Sequence, residues 1–143
     1  MHCETTRPMS STDLVSCVLW VSWLAPETSL SVVKDIWQKS RQRNAKLGLT
    51  GVVVFDGERF CELLEGPVLD ISAVYRDVEA DPRHTGLRVL HMPSAGSARR
   101  QTQWRSGYCD APALDPFFDE TGLQGEAAAS AFLSLLPRCD LSP

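Results

Sequence analysis

The sequence predicts an α+β fold whose elements follow the order βαββαββ, with one more helix near the C-terminus. The stretch 48–66 contains two runs of β-forming residues around Asp56-Gly57, which is typical of a hairpin with a type I′ turn. On both sides of this hairpin, apolar residues recur at helical spacing. Right-handed crossovers then place the first and third strands side by side in a mixed five-stranded sheet with two helices on one face, a ferredoxin-like sandwich.

The elements before the hairpin follow from composition and spacing. Residues 1–12 are rich in serine and threonine and have no periodicity, so we expect a disordered leader. Residues 14–25 are apolar, too short to cross a bilayer and without a basic lead-in, so they are predicted to form a buried strand. The segment 28–45 has helical spacing, with Thr28 or Ser29 as the predicted N-cap.

The two arms of the hairpin differ in pattern. Residues 52–55 are three valines and a phenylalanine with no polar face, which predicts a strand covered on both sides. Along 59–65 the residues alternate, so that Glu62 shares a face with Phe60 and Leu64. A carboxylate in that position is either a solvated surface group or a functional one.

The rest of the chain completes the fold. Residues 68–80 are predicted to form the second helix, and 87–92 and 104–108 the last two strands. Beyond them we expect a proline-rich connector and an amphipathic helix over 126–136. The predicted division of the chain is a leader, a core domain and a C-terminal extension, over 1–12, 13–110 and 111–143.

Composition argues against several classes of protein. The net charge is −4 and the basic residues are scattered apart from 39–46 and 99–100, so the footprint of a nucleic-acid-binding protein is missing. The five cysteines are widely spaced without a C-x-x-C pair, which argues against a disulfide framework or a zinc site. We therefore expect a cytoplasmic protein with reduced thiols, no metal and no membrane or nucleic-acid partner.

No motif of an enzyme is found in the sequence. G-x-S-x-G, H-E-x-x-H and phosphate-cradling glycine loops are missing, so we predict that the chain is not an enzyme and assign no catalytic residue. Acylphosphatases and RNA-recognition modules share the predicted strand order. The former need an anion-binding loop where this chain has W-L-A-P-E-T, and the latter need exposed aromatic residues in a basic setting. A small hydrolase remains the third-ranked alternative.

The predicted topology brings several polar side chains to one cleft. Ile36, Phe60 and the valines form its floor, and its polar members are Ser22, Ser40, Asn44, Arg83 and His84. Apolar walls with a few convergent donors suit a flat heteroaromatic ligand with imide-like edges. The alternative is structural: the amide caps the first helix, the Arg-His pair lies in a solvated turn, and the serines satisfy backbone groups.

Five motifs together resemble the BLUF family, bacterial sensors of blue light using FAD, over residues 14–108. They are W-V-S at 20–22, S-R-Q-R-N-A-K-L-G-L-T-G at 40–51, F-C-E-L-L-E-G at 60–66, D-P-R-H at 81–84 and R-R-x-x-x-W-x-x-G at 99–107. The resemblance implies a ferredoxin-like domain with a flavin, FAD or FMN, between the first two helices. The residues that it implies for cofactor binding are Ser22, Ile36, Ser40, Asn44, Phe60, Arg83 and His84.

The resemblance also assigns roles to some of these residues. Asn44 would bond to the imide edge of the flavin, and Arg83 and His84 would lie beside its pyrimidine side. Ile36, Ser40 and Phe60 would line the ring.

The sequence departs from the family where the resemblance places its photochemistry. Trp20 replaces a tyrosine, Glu62 replaces a glutamine, and Ser106 replaces the usual methionine; Arg43 and Gln101 are further departures. The family's light reaction moves an electron and a proton from the phenol to the flavin, after which the glutamine amide changes its hydrogen bonds. An indole N–H only donates, and an ionised carboxylate only accepts.

Two alternative functions follow from these departures. The first is a flavin-binding sensory or regulatory domain whose photocycle is absent or altered. The second is a domain that has lost the flavin, keeps the fold and works by protein contacts. In either case we expect the partner to be another protein or a second copy of the chain, bound through the fourth and fifth strands or the C-terminal helix.

Overall fold

The computed structural model describes residues 14–120 and 122–142, and the predicted leader over 1–12 lies outside them. Within these ranges the chain forms six strands and four α-helices, and a short 3-10 helix (Leu136–Arg138) follows the last of them. In order they are β1 (Ser16–Leu24), α1 (Ser31–Leu47), β2 (Thr50–Phe55), β3 (Arg59–Gly66), α2 (Val68–Ala80), β4 (His84–His91), β5 (Trp104–Tyr108), α3 (Ala111–Phe118), α4 (Gly125–Leu135) and β6 (Asp140–Ser142).

All described strands form one mixed sheet in the order β4-β1-β3-β2-β5-β6. The predicted neighbours β1 and β3 lie in its middle, and only β2 and β5 pair in parallel. The register places Trp20 opposite Glu62 in the β1–β3 pair, and Glu62 opposite Val53 in the β2–β3 pair. The predicted α+β fold is confirmed, but the sheet has six strands rather than five because β6 adds to the edge of β5.

The sheet is covered on both faces. On one face, α1 and α2 pack over Val18, Trp20 and Val53; on the other, α3 and α4 pack over Leu19 and Val52. Alternate residues of β2 therefore belong to different cores, which confirms the predicted two-sided burial of that strand.

The hairpin turn between β2 and β3 differs from the prediction. The N–H of Asp56 donates to the carbonyl of Arg59, so that Gly57 and Glu58 are the central residues. A type I′ turn needs positive φ at both, but Gly57 has a φ of +106° whereas Glu27 is the one described non-glycine residue with positive φ. The predicted type I′ turn is therefore wrong. The Asp56 carboxylate instead holds the turn by accepting from the N–H groups of Glu58 and Arg59 at 2.9 and 2.7 Å.

The start of α1 bears on the predicted cap at Thr28 or Ser29. Leu30 directly precedes the helix, already has helical dihedral angles and carries no side-chain cap hydrogen bond. Ser29, one residue earlier, makes the bond expected of a capping hydroxyl: its Oγ accepts from the N–H of Ser31 at 3.3 Å, and its carbonyl accepts from the N–H of Val32 at 3.0 Å.

The C-terminal segment is more ordered than its composition predicts. The expected proline-rich connector contains α3, which carries Pro112 in its first turn, where the missing N–H costs no hydrogen bond, and also tolerates Pro116. Burial of Leu114 and Phe117 against the sheet holds this helix in place. The predicted helix over 126–136 corresponds to α4. None of the helices in the described ranges has the length and apolar character needed to span a bilayer.

Candidate functional site

A small central cavity lies on the face of the sheet that α1 and α2 cover. Its volume of about 20 Å³ is room for roughly one water molecule, far below the 300–1,000 Å³ of typical ligand pockets. The structure brings to it four of the predicted cofactor-binding residues, Ile36, Ser40, Phe60 and His84, and two of the substituted positions, Trp20 and Glu62. Val53, one of the valines predicted for the floor, and Arg43, a predicted departure from the family, also line it. The lining residues that sequence reasoning did not assign to the site are Trp37, Val78 and Trp104.

Glu62 carries the central carboxylate of the cavity. Its Oε2 atom accepts a hydrogen bond from Nε1 of Trp104 at 3.1 Å. Burial raises the pKa of Glu62 to about 7, against the opposing effects of the Trp104 hydrogen bond and the positive charge of Arg43. Near neutral pH the side chain is therefore present in both forms. The protonated form can donate one hydrogen bond, whereas the ionised form only accepts.

Ser22 and His84 form a polar pair at the edge of the central cavity. The Ser22 hydroxyl lies 3.2 Å from Nδ1 of His84, and the imidazole centroid lies 4.9 Å from that of Phe60. Burial lowers the pKa of His84, an effect that Asp81 opposes and Arg83 reinforces. The imidazole is therefore neutral at pH 7, with one nitrogen that donates and one that accepts.

Asn44 is fully buried on α1 but does not line the central cavity. It borders an open groove of about 770 Å³ between the end of α1 and the loop 99–104. Its Oδ1 atom accepts from Nε of Arg43 at 3.1 Å, and its Nδ2 atom has no partner among the described residues. A buried donor without a partner costs about 1–3 kcal/mol, so this amide fits a bound acceptor such as a carbonyl.

Two further predicted positions also lie away from the central cavity. Arg83 is half-exposed and pairs with Asp81, with its Nη2 2.7 Å from Oδ2, a contact that lowers the pKa of that carboxyl. Ser106 is buried on β5 and accepts a hydrogen bond from Nη2 of Arg41 at 3.3 Å. The structure therefore divides the predicted site among a closed cavity, an open groove and a surface ion pair.

Sequence reasoning missed the structural role of Glu65. This carboxylate is 2% exposed and accepts from Oγ1 of Thr50 and from the backbone N–H groups of Arg100 and Gln101, at 2.9, 2.7 and 3.1 Å. These hydrogen bonds hold in place the loop 99–103, which directly precedes Trp104. The signal was present in E-L-L-E-G, because its second glutamate falls on the opposite face of a buried strand from its first.

The family model described as "BLUF: Sensors of blue-light using FAD" matches residues 15–107. The chain belongs to the BLUF family. Among its curated relatives, the "Blue light- and temperature-regulated antirepressor BluF" of Escherichia coli (strain K12) is 27% identical over 54% of this chain. The "Photoactivated adenylate cyclase subunit beta" of Euglena longa is 28% identical over 71% of it. The matched regions span 19% and 10% of those two proteins.

Solved BLUF structures share the fold of this chain. The dark-state structure of the BLUF protein BlrB matches 87% of this chain and 96% of its own, with a TM-score of 0.70 at 24% identity. The photo-activated state of BlsA matches 85% and 94%, with a TM-score of 0.67 at 17% identity. This BLUF chain therefore has the fold implied by its motifs.

The family's cofactor is FAD, and the site can be tested against it. The apolar side chains of Ile36 and Phe60 and the unpaired Nδ2 of Asn44 fit an aromatic ring system with an imide edge. Glu62 fits beside a ring carbonyl only when its carboxyl is protonated, because an ionised carboxylate and a carbonyl both only accept.

Proposed function

We propose that this BLUF domain binds FAD or FMN and acts as a sensory or regulatory domain whose photocycle is absent or altered. One observation carries the proposal: Trp20 and Glu62 lie directly opposite each other in the β1–β3 pair, and both line the central cavity. These are the two positions where the motifs of the family place the tyrosine and the glutamine. Both residues of the pair that would make the site responsive to light therefore differ from the family's pattern.

The residues around the pair would hold the flavin, which supplies the absorption of blue light. Asn44 would donate to the imide edge through its unpaired Nδ2, and Ile36 and Phe60 would pack against the ring. Ser40 and His84 would bring polar atoms to its border, with Ser22 orienting the imidazole through their 3.2 Å contact. Arg83 would approach the pyrimidine side only by leaving Asp81.

The exchanged pair changes what the chain can do with protons. The Trp20 indole can give an electron, but it lacks the phenolic O–H. Glu62 is present in both protonated and ionised forms near pH 7 and already accepts a hydrogen bond from the Trp104 N–H. A protonated carboxyl has one hydrogen-bond donor, whereas an amide has two. Glu62 therefore cannot fully reproduce the change of hydrogen bonds that the family's glutamine amide makes.

We also propose that the domain is not catalytic itself and passes its state, in the cytoplasm, to another protein or a second copy of the chain. One curated relative is named as an antirepressor and another as an adenylate cyclase subunit, each much longer than the matched region. The outer side of β4 supports an interface, because no described strand pairs with it. In this proposal residues 13–110 form the sensory domain and 111–143 its extension.

An absorption spectrum of the purified full chain tests the proposal. We expect the protein to take up FAD or FMN and to lack the red shift of the flavin band under blue light. N44A should weaken flavin binding about tenfold, because one buried hydrogen bond is lost, whereas K46A on the exposed side of the same helix should not. A red shift of normal size in the unaltered chain would refute the altered photocycle.

The flavin-free domain is a second candidate, favoured by the size of the central cavity. Three indoles, from Trp20, Trp37 and Trp104, border a space of about 20 Å³. Titration of FMN into the unaltered chain and into W20Y/E62Q decides between the candidates. If neither binds flavin, the first candidate fails and the second is supported; binding by the unaltered chain removes the second.

A further inference from the structure

Two cysteines meet at the edge of the sheet, away from the central cavity. Cys109 directly follows β5 and Cys139 directly precedes β6. These strands are antiparallel with Tyr108 opposite Asp140, so extending the register by one residue places Cys109 opposite Cys139. Opposed residues in such a pair have Cα atoms about 4.5–5.5 Å apart, within the range of about 4.4–6.8 Å that a disulfide needs.

The side chains face each other as this register requires. Both cysteines are half-buried, both pack against the core beneath α3 and α4, and their thiols share a hydrogen bond. The Sγ atom of Cys139 also lies 3.6 Å from the carbonyl of Leu135 at the end of α4. The two thiols therefore lie close enough for each to affect the pKa of the other.

The surroundings of this pair slow its reaction with oxidants. Burial and the neighbouring thiol raise the pKa of Cys109 to about 12, and burial also raises the pKa of Cys139. Because the thiolate is the nucleophile, both groups react slowly at neutral pH. Disulfide exchange at this pair is therefore slow at neutral pH and becomes faster as the concentration of the disulfide reagent rises.

We propose that Cys109 and Cys139 form a reversible disulfide by exchange with a small-molecule disulfide such as oxidised glutathione. One cysteine, as its thiolate, attacks the reagent, breaks its S–S bond and forms a mixed disulfide while one glutathione thiol is released. The second cysteine attacks the mixed disulfide, the protein S–S bond forms, and the second glutathione leaves. The two cysteine protons end on the two released thiols, so the protein is oxidised by two electrons and the reagent is reduced by two.

The disulfide would fasten the C-terminal layer to the sheet. It would close a loop over 109–139 that contains α3 and α4, the helices that cover the face opposite the central cavity. Cross-linking a loop of this length restricts the unfolded chain, so we expect the thermal midpoint to rise by roughly 10 °C. The oxidation state of Cys109 and Cys139 would therefore determine how strongly α3 and α4 are held against the sheet, independently of flavin.

The test uses the full chain with Cys3→Ser, since Cys3 lies outside the described residues. After incubation with excess oxidised glutathione, peptide mapping without reduction should show one linked pair containing Cys109 and Cys139. The intact mass should fall by two hydrogens, and the rise in midpoint should reverse with dithiothreitol. C17S, at a buried cysteine of β1, should behave identically, whereas C139S should gain no thermal shift and carry glutathione at Cys109.

Three outcomes would overturn the proposal. They are a linked pair that includes Cys17 or Cys61, separate glutathione adducts on Cys109 and Cys139, and free thiols at both positions under conditions in which the urea-unfolded chain does oxidise. The proposal is decided by the peptide map of the chain that retains both Cys109 and Cys139. The result therefore does not depend on whether the C139S or C17S variant is stable.

Discussion

Nε1 of Trp104 donates a hydrogen bond of 3.1 Å to Oε2 of Glu62. This contact joins the first residue of β5 to the middle of β3, across β2. The indole ring also lies under the guanidinium of Arg41, 5.9 Å from its centroid. Trp104 thus links Glu62, at the position where the family has a glutamine, to the groove that Asn44 borders. A change at Glu62 should therefore alter the environment of the Trp104 indole.

We expect E62Q to stabilise the protein above neutral pH. The pKa of Glu62 rises from its ordinary value of 4.5 to about 7 on folding, so the folded state binds more protons than the unfolded state between these pH values. The free energy of unfolding therefore falls as pH rises through this window. The cost of holding ionised Glu62 in the folded state is absent below about pH 4.5 and complete above about pH 7. Above that pH, E62Q should be more stable than the unaltered chain by about 1–3 kcal/mol.

Urea unfolding at about pH 5 and about pH 8 measures this difference. The glutamine side chain of E62Q keeps an oxygen that can accept from Trp104. The comparison therefore measures the effect of the negative charge alone. E58Q, in the exposed hairpin turn, is the matched control for the removal of one negative charge. An E62Q advantage of equal size at both pH values would contradict the raised pKa.

The double variant W20Y/E62Q should gain a red shift of its flavin absorption under blue light. It restores a phenolic O–H and an amide at two positions that lie opposite each other in the β1–β3 pair. Each single variant lacks one of the two groups and should respond weakly or not at all. Difference spectra of the flavin-loaded proteins, light minus dark, measure this. Equal shifts in the double variant and the unaltered chain would show that the substitutions are not the cause.

Much of the fold could be predicted because its signals are local. The unbroken apolar run of β2 indicated burial on both faces, and the alternation along β3 placed Phe60 and Glu62 on one face. The helix α3 could not be predicted in the same way, because its prolines indicate a connector while burial of Leu114 and Phe117 stabilises a helix. The strand β6 has three residues, too few to show a period.

The site was less predictable because it depends on which partner each side chain selects. The motif D-P-R-H places Arg83 near the site, but it also places the Asp81 carboxylate two residues away, and the ion pair forms there. Trp104 was visible as a motif residue, yet its contact with Glu62 spans 42 positions of sequence. Local pattern identified which residues matter, and only the tertiary structure showed how they are divided.

E65A should destabilise the protein by about 2–4 kcal/mol. Removing this 2% exposed carboxylate leaves two backbone N–H groups, of Arg100 and Gln101, without their acceptor. Denaturant unfolding measures the loss, and faster amide hydrogen exchange at these two residues localises it. E58A, at an exposed glutamate of the same hairpin, should change stability by no more than about 0.5 kcal/mol. Unchanged exchange at both amides in E65A would contradict the anchoring role.

F132A tests whether the C-terminal layer unfolds together with the rest of the sheet. Phe132 on α4 is fully buried, and its ring meets that of Phe117 edge-on, at 6.0 Å and 87°. Because α4 packs against β4, whose neighbour β1 carries Trp20, we expect one cooperative transition and a loss of about 3–5 kcal/mol. S134A, exposed on the same helix, is the control. Tryptophan fluorescence and far-ultraviolet circular dichroism should give the same midpoint for F132A. A lower midpoint by circular dichroism than by tryptophan fluorescence would show instead that α4 unfolds before the sheet.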